Sequence, residues 1–444
     1  MRSIFLEFNL PNSATWFYFS LLLGIALLFQ FTRLLSLRNW DLLALYLFVP
    51  GFLLIQEAHQ LPPGSDAERV PAERFAGYVW LLAASGYWVV RCLFDLAAVR
   101  RPVLRPNLTL QGMGWFGVAL FVCLSIVAIR RPAESWQQVG KQPAGISGVK
   151  EGATAALAQT QDPVDGSSSD EVRFWVERCS AILCHLAVVL GLLFIGIFHY
   201  RDGDAGVAMG TLYLLLPYTA YHFGQIHHVL PSALILWAAF AFRRPRVSGL
   251  LLGLAAGFAF FPVLLFPVWL HFYWKRGGGR FSEGFLIAAA VGLGVTVSVL
   301  LGSGLGPEAL SRTLFLPDWQ PWKIPTTESV WNSVHWAYRL PVFLAFVAFT
   351  LTTFLWPPVR HLGDLLALSA AVLIGIQFWY ADRGGLYVLW YAPLLLAMVF
   401  RPSTTDLQPP APEPGQQPGV GLIRVVWGNR RKKAVPAQTT PLSI

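Results

Sequence analysis

The spacing of charges along this chain limits what it can become. From about residue 13 to residue 400, apolar stretches of about twenty residues follow one another, separated mostly by short turns rich in Arg, Lys, Pro and Gly and by two longer loops. A stretch of that length spans the hydrocarbon core of a bilayer as one helix. With 55% hydrophobic and 13% charged residues in 444, a soluble core could not enclose so many such runs. Inside lipid every backbone N–H and C=O must be satisfied within its own segment, so the runs are helices. The expected fold is therefore all-α, a polytopic integral membrane helical bundle.

Candidate spans are 15–31, 42–55, 75–99, 113–129, 174–198, 205–221, 230–242, 247–273, 285–301, 340–356, 365–380 and 385–400. The 247–273 run would be about 40 Å long as one straight helix, against a hydrocarbon core of about 30 Å. Pro262 and Pro267 interrupt it, and a proline removes a backbone donor and crowds the preceding turn. A broken pair, out to Phe261 and back from Pro262, resolves both conflicts and gives about twelve to thirteen segments. It also puts Arg243, Arg244 and Arg246 on the same side as Lys275, Arg276 and Arg280.

Counting Lys and Arg over the short loops places these turns, with Arg33, Arg38, Arg100, Arg101, Arg105, Arg201, Arg360 and the tail cations, on the cytoplasmic side. The N-terminus is then outside and the C-terminus inside, as expected for a bacterial cytoplasmic membrane. This topology accounts for the formal charge of +9 without a nucleic-acid partner. Cys92, Cys123, Cys179 and Cys184 lie in or beside apolar helices without metal-ligand spacing and read as small buried hydrophobes. The first apolar run lacks a small-residue cleavage site and reads as a retained helix.

Three regions follow: a three-helix membrane segment over 1–110, a membrane core over 111–400 with outer loops at 131–173 and 302–339, and a disordered basic cytoplasmic tail over 401–444 that meets lipid headgroups. No internal repeat is visible, which weighs against a carrier built from duplicated halves.

Polar groups in or beside the spans are the informative ones, because each costs free energy in lipid unless paired. Arg91 and Asp95, four apart, read as an intrahelical pair. Asp202 and Asp204 form an Asp-x-Asp that could hold a divalent cation on a nucleotide-sugar, in a turn where Asp and Gly are expected anyway. Tyr221, His222, Gln225, His227 and His228 crowd one short elbow, where an imidazole could bind a phosphate or a sugar hydroxyl. The 302–339 loop carries Asp318, Lys323 and several tryptophans, either an interfacial aromatic belt or an ordered lid. Within it, residues 328–338 have the spacing of a flat amphipathic helix with Val330, Val334 and Tyr338 on one stripe.

The stretch 216–270 resembles the polyprenyl-phosphate-dependent membrane glycosyltransferases of the GT-C superfamily, particularly the family 87 mannosyltransferase-like proteins. The residues that carry the resemblance are Pro217, Gly224-Gln225, Arg243-Arg244-Pro245-Arg246, the small-residue run from Ser248 to Ala256, Pro262 and Pro267. It implies a GT-C-like fold and an inverting sugar transfer on the outer face from a lipid-linked sugar phosphate. Tyr221, Gln225, His227, His228 and Lys323 would bind substrate, and Glu134 or Asp318 would be the general base. Where members of the family often carry a lysine, this chain has Ala259. A non-catalytic relative or a transporter of lipid-linked substrates is the alternative.

Overall fold

The computed structural model describes residues 13–60, 69–97, 104–130, 169–259, 261–302, 321–322, 329–355, 361–380 and 387–402. Among the described residues every regular element is helical, and seven helices are long and apolar enough to cross a membrane, with five shorter apolar helices beside them. The chain is an all-α polytopic bundle. In order the helices are α1 (Ser13–Leu28), α2 (Leu37–Ala44), α3 (Val49–Gln60), α4 (Arg69–Ala97), α5 (Leu110–Arg130) and α6 (Ser169–Phe194), which runs on as a wide turn, Ile195–Tyr200. Then come α7 (Gly203–Leu215), α8 (Pro217–His222), α9 (Ile226–Phe240), α10 (Pro245–Ala259), a 3-10 segment (Phe261–Leu265) and α11 (Phe266–Tyr273). The last four are α12 (Gly278–Gly302), α13 (Arg339–Leu355), α14 (Leu362–Trp379) and α15 (Val388–Phe400).

Burial runs from a packed centre to an apolar rim. Every residue of α15 and all but Phe378 of α14 are buried. The rim helices turn large apolar side chains outward instead: Trp115, Leu183, Leu286 and Leu351 are all more than half exposed. Such a surface would be a liability in water and is the expected one in lipid.

The run 245–273 folds out and back. Tyr273 at the end of α11 donates to the Phe242 carbonyl (2.7 Å), one turn before α10 begins, so the chain returns to the end it left. From there α12 runs parallel to α10, with Gly249 against Phe281, Gly253 against Phe285 and Gly257 against Gly292. A Cβ on Gly253 would lie 2.9 Å from the Phe285 Cα. With no hydrophobic drive between helices in lipid, such backbone approach is what joins them. At 15 residues α10 is about 22 Å long, half of a hairpin rather than a full span.

All the described turns rich in Arg and Lys gather at one end of the bundle. There a buried charge cluster ties distant segments together. Arg91 grips Asp41 with two bonds (Nε–Oδ1 2.6 Å, Nη2–Oδ2 2.7 Å) and reaches Asp95 Oδ1 at 3.1 Å. Asp95 Oδ2 lies 2.6 Å from Arg401 Nη2, and Arg38 donates to the Arg401 carbonyl (2.8 Å). A side chain on Gly363 would occupy the place of the Arg401 guanidinium. The pairing of Arg91 with Asp95 thus extends to three further residues. Arg401, placed by its sequence in the tail, is buried in the bundle; residues 403–444 lie outside the described residues.

The stretch 329–338 departs from the expected single amphipathic helix. It forms two 3-10 turns, Val330–Asn332 and Trp336–Tyr338, separated by extended backbone at His335. Ser329 and His335 each cap the turn that follows, so the backbone is satisfied locally and no common stripe forms: Val330 is buried while Tyr338 is exposed.

Candidate functional site

At the opposite end, α8, α9, the break at Phe261–Pro262 and the start of α15 meet. Pro217 opens α8 at its first turn, where a missing N–H costs nothing. The chain turns through Phe223 and Gly224, and Gln225 is the residue before α9, its backbone extended and its side chain not capping the helix. Its side-chain oxygen Oε1 instead accepts a hydrogen bond from His222 Nδ1 (2.8 Å), closing the elbow on itself. Three imidazoles crowd together here: the His228 ring lies 4.0 Å from His222, tilted by 34°, and 4.2 Å from His227, tilted by 42°.

The elbow is fixed from two sides. From α6, Arg178 Nη1 donates to the Gly224 carbonyl (2.7 Å), and any Cβ at residue 224 would overlap that guanidinium. Arg178 is buried and carries Phe174 under its guanidinium at 5.0 Å. Two turns along α6, His185 stacks flat on Phe223 (4.2 Å, 7°) and bonds Tyr213 OH through Nδ1 (2.8 Å).

From α15, Trp390 donates to the His227 carbonyl (3.2 Å). The residue four positions on in the helix is Pro231, which has no N–H to offer that carbonyl. Trp390 also stacks on Phe261 (3.5 Å, 10°) and on Tyr387 (3.9 Å, 23°), and Tyr387 faces His228 at 5.4 Å. A continuous ladder of rings therefore runs from the helix break at Phe261 through Trp390 and Tyr387 to the three histidines.

The sequence-derived site residues fall into two sets. Tyr221, Gln225, His227 and His228 are brought together, with His228 and Gln225 buried and Tyr221 and His227 half-buried at the rim. Glu134, Asp318 and Lys323 lie outside the described residues. Asp202 has a local role, its carboxylate accepting from Ala205 N (3.0 Å) to cap α7. Among the described residues no three His, Cys, Asp or Glu side chains converge as metal ligands.

Arg178, His185, Tyr387 and Trp390 are members of the cluster that sequence reasoning missed. Arg178 had a usable signal: it lies inside a predicted span, where an unpaired guanidinium is costly. Together the groups offer a buried cation, imidazole donors and acceptors and aromatic faces at the bilayer edge, a set suited to a polar headgroup on a lipid chain. No protein-family model, no curated protein and no solved structure matches the chain.

Proposed function

We propose that the protein is a membrane glycosyltransferase moving a sugar from a polyprenyl-phosphate donor to an acceptor on the outer face of the membrane, with the elbow as donor site. The observation that carries this is the ring ladder, which joins the Gly-Gln elbow to the proline break, the two parts of the sequence on which the GT-C resemblance rests. The helix ends that bound the two long loops support it: α5 finishes and α6 begins at the elbow end, and so do α12 and α13. The described helix ends on either side of the stretches that hold Glu134 and Asp318 therefore lie toward the histidines.

In this scheme Tyr221, Gln225, His227, His228 and Lys323 hold the donor, and Glu134 or Asp318 takes the proton of the acceptor hydroxyl as its oxygen attacks the anomeric carbon. The bond from that carbon to the phosphate oxygen breaks with inversion, and the polyprenyl phosphate leaves. The elbow end faces the outside of a bacterial cytoplasmic membrane and the Arg-rich end, with the C-terminus, faces the cytoplasm.

The test is transfer by the purified, reconstituted chain from a radiolabelled polyprenyl-phosphate sugar into membrane extract. Transfer lost in His228→Ala, and in either Glu134→Ala or Asp318→Ala, is the expected result. If both acid variants keep full transfer, the base assignment is wrong. If the intact chain transfers nothing yet moves the donor between leaflets, the protein is a carrier.

A further inference from the structure

The out-and-back fold of 245–273 has a second effect, at the Arg-rich end. It brings the α9–α10 turn, with Arg243, Arg244 and Arg246, beside the α11–α12 turn, with Lys275, Arg276 and Arg280. Gly277 adopts φ +110°, and a Cβ there would lie 2.9 Å from the Pro245 ring, so the two turns are in contact. The Tyr273–Phe242 bond and a 2.8 Å pair between Arg246 and Glu283 hold them in register. Glu283 is the sole carboxylate in the sequence from residue 241 to 283, against these six cations.

The patch faces outward and continues into lipid-facing surface. Arg243, Arg244, Arg246, Lys275 and Arg280 are exposed, and Trp274, 40% exposed, stands among them as interfacial tryptophans do. Immediately above, α10 presents Val247 and Leu250, and α12 presents Leu286 and Ile287, all exposed apolar side chains. A cationic turn pair under an apolar helix pair matches a molecule with an anionic head and hydrocarbon tails.

We propose that the paired turns are a specific site for the headgroup of an anionic phospholipid, with its acyl chains along α10 and α12. Phosphate oxygens accept from several guanidinium and ammonium donors at once, and the rigid contact between turns fixes those donors before the lipid arrives. This site is independent of sugar transfer and lies at the other end of the bundle from the elbow.

The experiment is native mass spectrometry of the full chain in detergent with equal amounts of dioleoylphosphatidylglycerol and dioleoylphosphatidylcholine. The intact protein should retain the phosphatidylglycerol adduct preferentially. Each cation removed should weaken that preference about fivefold, so Arg243→Gln/Arg244→Gln/Lys275→Gln together should lower it about a hundredfold. The control is Arg33→Gln/Arg105→Gln/Arg201→Gln, three exposed arginines at the same end but outside the paired turns, and it should keep the preference. Lys275→Gln alone gives the single-charge step should the triple variant fold poorly. An equal loss in the control, no loss in Lys275→Gln, or release of the adduct by millimolar inorganic phosphate or by an oligonucleotide would overturn the proposal.

Discussion

Replacing Asp95 by asparagine isolates one charge in the buried cluster. The substitution keeps shape and volume, so packing terms nearly cancel. Arg401 Nη2 loses the carboxylate oxygen 2.6 Å away and Arg91 Nη1 the one at 3.1 Å, while both guanidinium groups stay buried. Three arginines then share the single carboxylate of Asp41 within this cluster. Removing one partner of a buried pair costs about 3–5 kcal/mol, and two unit charges 4 Å apart at an effective dielectric of 20 attract by a comparable amount, about 4 kcal/mol. The folded-to-unfolded ratio should fall by roughly three orders of magnitude. Reversible unfolding in bicelles, followed by steric trapping, measures this directly. Arg401→Gln should cost a similar amount, and the double variant less than the sum, by about 1–3 kcal/mol of coupling. The exposed Arg246–Glu283 pair, 59% and 49% exposed, is the internal comparison and should be worth under about 1 kcal/mol. A loss below about 0.5 kcal/mol in Asp95→Asn, or strict additivity with Arg401→Gln, would refute the view that these charges act as one unit.

Other outcomes follow from single contacts. Gly253→Ala places a methyl group on the Phe285 backbone, which cannot yield as a side chain would, and should cost about 1–3 kcal/mol in the same unfolding assay. Trp390→Phe keeps a ring over Phe261 but removes the donor to the His227 carbonyl, for about 1 kcal/mol; Trp390→Ala should cost about 3–5 kcal/mol. Gly224→Ala must displace Arg178, so the elbow should open while the Arg-rich end is unaffected, seen as faster hydrogen exchange confined to 217–228.

The helices were legible because length and hydropathy suffice in lipid. The break near Phe261 was legible because 27 residues between turns exceed the bilayer thickness. The division of 37–60 into α2 and α3 was hidden: Leu45, Tyr46, Leu47 and Phe48 are all apolar, and the turn is made by backbone bonds such as Tyr46 N to Leu43 O. The elbow residues stood out as polar groups between apolar helices, which is why five of them were found. Their supports were not, since nothing near His227 in sequence points to Trp390, 163 residues away. Arg401 reads as the first residue of a basic tail until Asp95 and Gly363 are seen around it.

The cluster around Asp95 also dictates an order of events. Arg38, Asp41, Arg91 and Asp95 are all made early, two cations against two carboxylates, and can meet as soon as α2 and α4 are in the membrane. The guanidinium that closes on Asp95 Oδ2 is encoded 306 residues later. At about 5–20 residues per second, the nascent bundle waits for that contact for on the order of tens of seconds. Delivery of Arg401 by α15 is the step that closes the cluster.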